Sequence, residues 1–411
     1  MGEHYLSHAF MELKRLYLEQ LSRMHYSAGS IKNCLRTFSQ LEKFMAKHGS
    51  TDYSIVTGRA FLDEMAWIGN PNGKITKVTV RRLNELMETG SFDFRKKCND
   101  LKCPAYFQKL LDDYVEHMDR KGLRASSITK YSRNIMRALQ EFQVRGVIDI
   151  SALQPLDIYA AFEKSNNKQG FVSSTRSFLK YLFKKGLHGK DMSLIVPSVR
   201  RPKPVPSIYT KAEVEKMLSV INRFTVLGKR DYVAILIALR LGMRGGDILK
   251  LKTCDFDFNA KTIEFTQKKT LVQQRLELLP EIEEALTSYL ADRINPQNSP
   301  YVFLTTMAPY GPMLGCGVGR AVAKYISNAS IDAGNRKHGS HALRMTLASE
   351  LASENVPYDV IRKILGHEDA EVIKHYVKLD IEMLRKCALE VPRPIGLLAE
   401  KLSIETGGEA L

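Results

Sequence analysis

Between Val196 and Thr210 the chain reads VPSVRRPKPVPSIYT, with Pro197, Pro202, Pro204 and Pro206 in one short run. Proline has no amide hydrogen and its ring clashes with the preceding turn, so no helix continues through this stretch. Patterns of helical period lie on both sides of it. The run is therefore expected to be an extended linker, 196–209, between domains rather than a loop inside one. A chain of 411 residues is also too long for one ordinary hydrophobic core and suits two or three domains. Arg200, Arg201 and Lys203 within the linker are candidates for tracking phosphates.

Upstream, ASSITKYSRNIMRALQEFQVRGV places Ile128, Tyr131, Ile135, Ala138 and Phe142 at helical spacing. Ser126 or Ser127 is the expected cap of that helix. An earlier segment, AGSIKNCLRTFSQLEKFMAKHG, places Ile31, Cys34, Phe38, Leu41 and Met45 at the same spacings. In both, a Ser-Ile pair opens the helix, and a turn and second helical stretch follow. The segments lie roughly one hundred residues apart, as a duplicated helical domain would. Amphipathic helices also resemble one another by chance, and the sequence leaves both explanations open. The expected domains are 1–100 and 101–195, both helical, separated near SFDFRKKCNDLKCPAY, then the linker, then 210–411.

Beyond the linker the pattern changes. TKAEVEKMLSVI is a helix opened by Thr210, and KRDYVAILIALRLG a buried helix closed by Gly242. AKTIEFTQ and QQRLELLP read as strands around the polar turn KKTLV, and EIEEALTSYLADRI returns to helix. Further helices are expected over 340–354 and 357–365, with Pro357 at the first position and Gly366 as the stop. A short helix is expected over 369–376. The fold class is mainly α with a small β-hairpin or sheet, an α+β arrangement in the C-terminal domain.

Lys and Arg number 61 against 45 Asp and Glu, a formal net charge of +16. Such an excess makes a polyanion the first partner to expect, since neutralising phosphates releases condensed counterions. A membrane surface is disfavoured because the basic residues are spread along the chain and do not gather on one amphipathic helix. The most apolar run, YVAILIALRLGM, contains Arg240 and falls short of the ~18 residues that span a bilayer. The N-terminus shows no secretory pattern, and Leu6 stands where a myristoylation signal needs Ser or Thr. Cys34, Cys98, Cys103, Cys254, Cys316 and Cys387 form no CxxC pair. They are expected to be reduced, mostly buried thiols of a cytoplasmic protein, without a zinc site.

The chemistry-bearing stretch is SHALRMTLASELASENVPYDVIRKILGHEDAEVIKHY. With Ser340 as cap, His341 and Arg344 share one face of a first turn, beside its unpaired N–H groups. Together these suit one phosphate. His367 follows Gly366, and Tyr376 lies on the next helix. Upstream, LGMRGGDILKL sets Arg244 at a helix break, with Asp247 placed to hold its guanidinium, and Lys268 and Lys269 sit at the hairpin tip. Taken singly, each has a commoner explanation: a surface pair, a helix-ending cap, a core tyrosine, a solvated turn. The case rests on their order: Arg, hairpin Lys, HxxR, Gly-His, Tyr.

That ordered set resembles the tyrosine recombinases of the phage integrase family. The likeness is strong over roughly 205–390, looser over 105–195, which resembles the family's helical core-binding domain, and weakest over 1–100. Residue by residue it implies Arg244, Lys269 (or its neighbour Lys268), His341, Arg344 and His367 as catalytic groups, Tyr376 as nucleophile, and Asp247 in support. Gly245 and Gly246 replace bulkier residues, and Met345 stands where a second His is frequent. The first hundred residues show little of the strand pattern of an arm-binding domain.

The resemblance further implies a C-shaped clamp around double-stranded DNA recombination sites, with Lys130 and Arg133 among the DNA contacts. It implies no cofactor and no metal. It implies a homo-tetramer on DNA, with the C-terminal tail packed in cis or donated to a neighbouring protomer, and it admits DNA-bending accessory proteins. The expected task is integration or excision of a mobile element, or transposition, by a cytoplasmic, nucleoid-associated protein. A type IB topoisomerase, a non-catalytic DNA-binding accessory protein and a basic helical scaffold are the alternatives.

Overall fold

A computed structural model describes residues 6–67, 73–92, 101–199, 207–268 and 270–366. It divides into two compact units, Arg95–Pro204 and Met1–Phe94 with Val205–Leu411. The fold is mostly helical with one small antiparallel sheet, as expected.

The N-terminal part holds α1 (His8–Arg23), α2 (Ala28–Lys47), α3 (Ile55–Trp67) and α4 (Gly73–Thr89). Ser7 and Ser27 cap the first two by accepting the N–H groups of Phe10 and Ser30. Their apolar stripes close over Phe10, Tyr17, Leu21, Phe38, Leu41 and Leu83. The unit Arg95–Pro204 holds α5 (Ala105–Arg120), α6 (Ala125–Val144), α7 (Pro155–Lys164) and α8 (Lys168–Lys184) around Phe107, Tyr114, Ile135, Phe142 and Phe178. Neither Ser126 nor Ser127 caps α6. Both fall inside its first turn, and the cap is Arg124, whose side chain makes no capping bond.

Residues beyond the linker form the third core. Thr210 caps α9 (Lys211–Ser219) in a reciprocal box with Glu213. Next, α10 (Val226–Arg240) is buried on every side from Val233 to Leu239 and is followed by the left-handed Gly242. A single turn, α11 (Gly245–Ile248), leads to β1 (Phe256–Asp257), β2 (Thr262–Thr266) and β3 (Gln273–Glu277). Ile263 lies opposite Leu276 and Glu264 opposite Arg275. Strand β1 is too short to show a period of two and was not expected. Then come α12 (Pro280–Asp292), α13 (Gly317–Asn328), α14 (Ser340–Ser353) and α15 (Tyr358–Leu365). The Gly-rich start of α13 masked it in the sequence.

Gly366 stops α15 in the left-handed region, as expected. Pro357 caps that helix rather than opening it, a shift of one position. Gly339, not Ser340, caps α14, so Ser340 is already helical. The expected helix over 369–376 lies outside the described residues. No described helix is long and apolar enough to cross a membrane. The thiols differ from expectation: Cys34 is buried, Cys103 half-buried, and Cys254 and Cys316 are exposed. The two exposed ones sit in turns off the helical stripes, while Cys98 and Cys387 lie outside the described residues.

Chain entering α9 is pinned by one arginine. Arg336 donates to Glu213 at 2.6 and 2.9 Å and to the Ile208 carbonyl at 3.0 Å, and stacks 4.5 Å above the Tyr209 ring. The forked Arg336 bonds hold the Glu213 carboxyl down at about 2. Because that lies below the unfolded value, the pair stabilises the fold above pH ~4.5 and is lost as pH falls towards about 2. Denaturant midpoints followed by circular dichroism should fall more steeply across that window in the native protein than in Glu213→Gln. Equal slopes would show that the pair contributes nothing.

Candidate active site

Arg344 is a cation only 2% exposed. A buried charge persists only where its donors find acceptors. Nη1 donates to the Gly242 carbonyl at 2.6 Å and Nη2 to the Leu365 carbonyl at 2.5 Å. The first acceptor lies just past α10 and the second ends α15. Carbonyls there lack intrahelical partners and carry the negative end of the helix dipole.

Gly242 makes the first contact possible. Its φ is +59°, and a Cβ there would stand 2.5 Å from Leu365 Cδ2 and 3.0 Å from Leu347 Cδ2. Gly242→Ala should cost roughly 2–4 kcal/mol, from left-handed strain and overpacking together. Gly246, with nothing within 4 Å of its would-be Cβ, should tolerate alanine within roughly 0.5 kcal/mol. Thermal unfolding of the two variants checks this, and equal melting points would refute it.

Arg244 is half-buried at the start of α11. It donates to Gln267 Oε1, which also accepts from Thr270 Oγ1 at 2.7 Å. Gln267 is 2% exposed at the end of β2, and its Nε2 donates to the Leu365 carbonyl at 3.5 Å. The expected pairing of Asp247 with the Arg244 guanidinium is absent among the described residues. Asp247 Oδ1 accepts instead from the Lys268 backbone N–H at 2.8 Å, and its buried Oδ2 has no partner there. The Arg244 guanidinium turns to Gln267 instead, and the hairpin amide takes the Asp247 carboxylate. Asp247 thus fixes the hairpin and Gln267 fixes the arginine.

His341 is exposed in the first turn of α14 and lines a cavity of about 400 Å³ with Gly245, Gly246, Lys337, His338 and Ser340. Lys337 and His338 are exposed beside the start of α14, the positive end of its helix dipole. Such a cluster suits an anion. A Cβ on Gly245 would lie 2.4 Å from Ser340 Oγ, so glycine lets α11 come close to the start of α14.

Of the residues singled out from sequence, Arg244, Asp247, Lys268, His341 and Arg344 are gathered in this region, the Lys268 side chain being exposed. Lys130 and Arg133 are exposed on α6. Lys269, His367, Tyr376, Arg200, Arg201 and Lys203 lie outside the described residues. Gln267 was missed because a polar residue before a turn is unremarkable in sequence. Lys337 and His338 were visible in RKHGSH, a basic cluster directly before a helix start.

The sequence model described as the Phage integrase family matches residues 208–383. The Sinorhizobium fredii protein y4rA, named as an integrase/recombinase, is 30% identical over 301 residues, spanning 70% of this chain and 72% of its own length. Tyrosine recombinase XerC of Bacillus pumilus is 26% identical over 294 residues, 68% of this chain and 94% of that protein. Among solved structures, the XerH site-specific recombinase bound to palindromic difH substrate aligns over 77% of this chain and 88% of its own, with a TM-score of 0.51 at 16% identity. A lambda integrase dimer bound to a COC′ core site aligns over 78% and 90%, also with a TM-score of 0.51 at 16% identity. The structural matches speak for fold alone. The sequence likeness, which runs through most of both chains, makes this protein a member of the tyrosine recombinases of the phage integrase family, and so a site-specific recombinase.

Proposed function

We propose that this protein cuts and rejoins duplex DNA at defined sites through a 3′-phosphotyrosyl intermediate, in the service of a mobile element that it integrates and excises. One observation carries the reading furthest. Arg344 bonds the carbonyls of Gly242 and Leu365, which lie just before Arg244 and His367 in the chain. A single guanidinium thereby draws together the segments that bear the proposed phosphate-binding groups.

In the first step the Tyr376 oxygen attacks phosphorus and the bond to the 5′-oxygen breaks. His341 takes the tyrosine proton and Lys269 supplies one to the departing oxygen. Arg244 and Arg344 meet the charge spread over the non-bridging oxygens, and His367 donates to one of them. One phosphate ester replaces another, so no external energy source enters. A 5′-hydroxyl from a partner duplex reverses the step. Domains 1–100 and 101–195, the linker 196–209 and the catalytic domain 210–411 would share the DNA, with Lys130, Arg133, Arg200, Arg201 and Lys203 on phosphates. Four protomers would assemble at two duplexes in the cytoplasm, with the tail beyond Tyr376 docked on a neighbour.

The test uses nicked suicide duplexes tiled through the DNA flanking the gene, in excess EDTA. A protein–DNA adduct on a denaturing gel is expected, because two arginines supply the positive charge. Absence of any adduct, or strict dependence on a divalent ion, would refute the mechanism. Lys269→Ala should cleave roughly 10²–10⁴-fold more slowly. A sulfur at the bridging 5′ position, which leaves without protonation, should restore most of that rate. Rescue of Lys268→Ala alone would move the acid by one residue.

A further inference from the structure

Helices α1 to α4 have 16, 20, 13 and 17 residues, and α5 to α8 have 16, 20, 10 and 17. The starts of α1 and α5, and of α2 and α6, are both 97 positions apart. Under that shift Phe10 falls on Phe107, Tyr17 on Tyr114, Leu21 on Met118, Phe38 on Ile135 and Met45 on Phe142, every one buried. In the fourth helices, whose starts are 95 positions apart, Thr79 matches Ser174 and Leu83 matches Phe178, again all buried. The matched hydroxyls each reach the second helix, Thr79 to Cys34 Sγ at 3.7 Å and Ser174 accepting from Asn134 Nδ2 at 3.0 Å. Chance amphipathic likeness would repeat a spacing. It would not repeat three of four helix lengths, buried aromatics and a buried hydroxyl in corresponding helices.

The exposed faces differ in charge from one side to the other. The first half of α2 carries Lys32 and Arg36 and no carboxylate, and the first half of α4 carries Lys74, Lys77 and Arg81 and none. Lys32, Arg36, Lys74 and Lys77 are exposed, and Arg36 falls on the exposed Arg133 of α6 under the same shift. A groove of about 350 Å³ on this face is lined by Lys32, Asn33, Arg36, Ser39, Gln40 and Ile75. Positive charge beside amide and hydroxyl groups suits phosphates and base edges better than an apolar peptide. The basic residues of α1 face the other way chemically: Arg15 is paired with Glu12 and Glu19, and Arg23 with Glu19.

We infer that residues 6–92 form a second copy of the four-helix module and bind the phosphate backbone of duplex DNA through the first halves of α2 and α4, an inference that rests on the proposed action on DNA. The chain then grips its site with two related modules ahead of the catalytic domain.

The test uses the full-length protein with Lys32, Arg36, Lys74 and Lys77 all changed to Gln. Binding to a mixed-sequence 60-base-pair duplex is titrated against salt. Each lost phosphate contact lowers the slope of log K against log salt by ~0.9, so a fall of roughly 2–4 is expected. Arg15→Gln with Arg23→Gln should leave the slope unchanged, and all changes being on exposed side chains, melting points should hold. An unchanged slope in the fourfold variant, or an equal fall in the α1 control, would overturn the inference. Loss of binding to phosphatidylserine vesicles with DNA binding intact would also overturn it, in favour of a membrane surface. Adduct formation on the suicide duplex is measured in parallel. An adduct with an unchanged slope sinks the second module alone, and a lowered slope with no adduct from any variant sinks the cleavage chemistry alone.

Discussion

Tyr376→Phe should bind DNA as the native protein does and form no covalent adduct. The substitution removes one oxygen and keeps the ring, so packing and phosphate contacts are retained while the attacking atom is gone. No neighbouring hydroxyl stands at the same place in the ordered set. Gel shifts on an intact duplex measure binding, and denaturing gels on the suicide duplex measure attachment. Equal shifts with an adduct below detection is the expected pair of results. An adduct at native level would place the nucleophile elsewhere, and a lost shift would make Tyr376 a folding residue.

Arg344→Ala should fail in two separable ways. The side chain is buried and its guanidinium bonds two helix-ending carbonyls. Removing it leaves both acceptors without these donors and opens a cavity, for roughly 3–5 kcal/mol of lost stability. At a temperature where the variant remains folded, cleavage should still fall by roughly 10²–10³-fold or more for the lost phosphate contact. Sulfur at the bridging position should not help, since the missing charge acts on the non-bridging oxygens. Arg344→Lys separates the two effects, keeping the charge but losing the fork that spans both carbonyls. Native stability in the alanine variant would show that the two bonds carry no load, and sulfur rescue would assign Arg344 to the leaving group.

Much of this was readable in the sequence. Thr210 and Glu213 are a capping pair at fixed spacing, Gly242 and Gly366 are helix stops, and the hairpin strands alternate as strands should. Each is a local signal, three or four residues wide. What escaped was long-range. Gln267 meets Arg244 across 23 positions, and Arg336 meets Glu213 across 123. No period or spacing announces a contact that only the fold creates. Asp247 was read as a local partner of Arg244, whereas its carboxylate is taken by the Lys268 amide 21 positions away. Of the duplication we infer, the α2 and α6 stripes were legible in the sequence, and the helix lengths and buried hydroxyls that support it needed the structure.

The Arg344 fork also sets where the chain can tolerate a change of length. Its two acceptors, Gly242 and Leu365, stand two residues ahead of Arg244 and of His367. Inserting or deleting one residue in either spacer would move a proposed phosphate ligand by ~3.5 Å while its anchor stayed still. The short loop 306–310, in the connection between α12 and α13, carries no residue that lines the site cavity, exposes Met307 and has room to lengthen. Natural variants of this chain should therefore gain and lose residues freely in that loop, and keep a fixed count between each anchored carbonyl and the side chain that follows it.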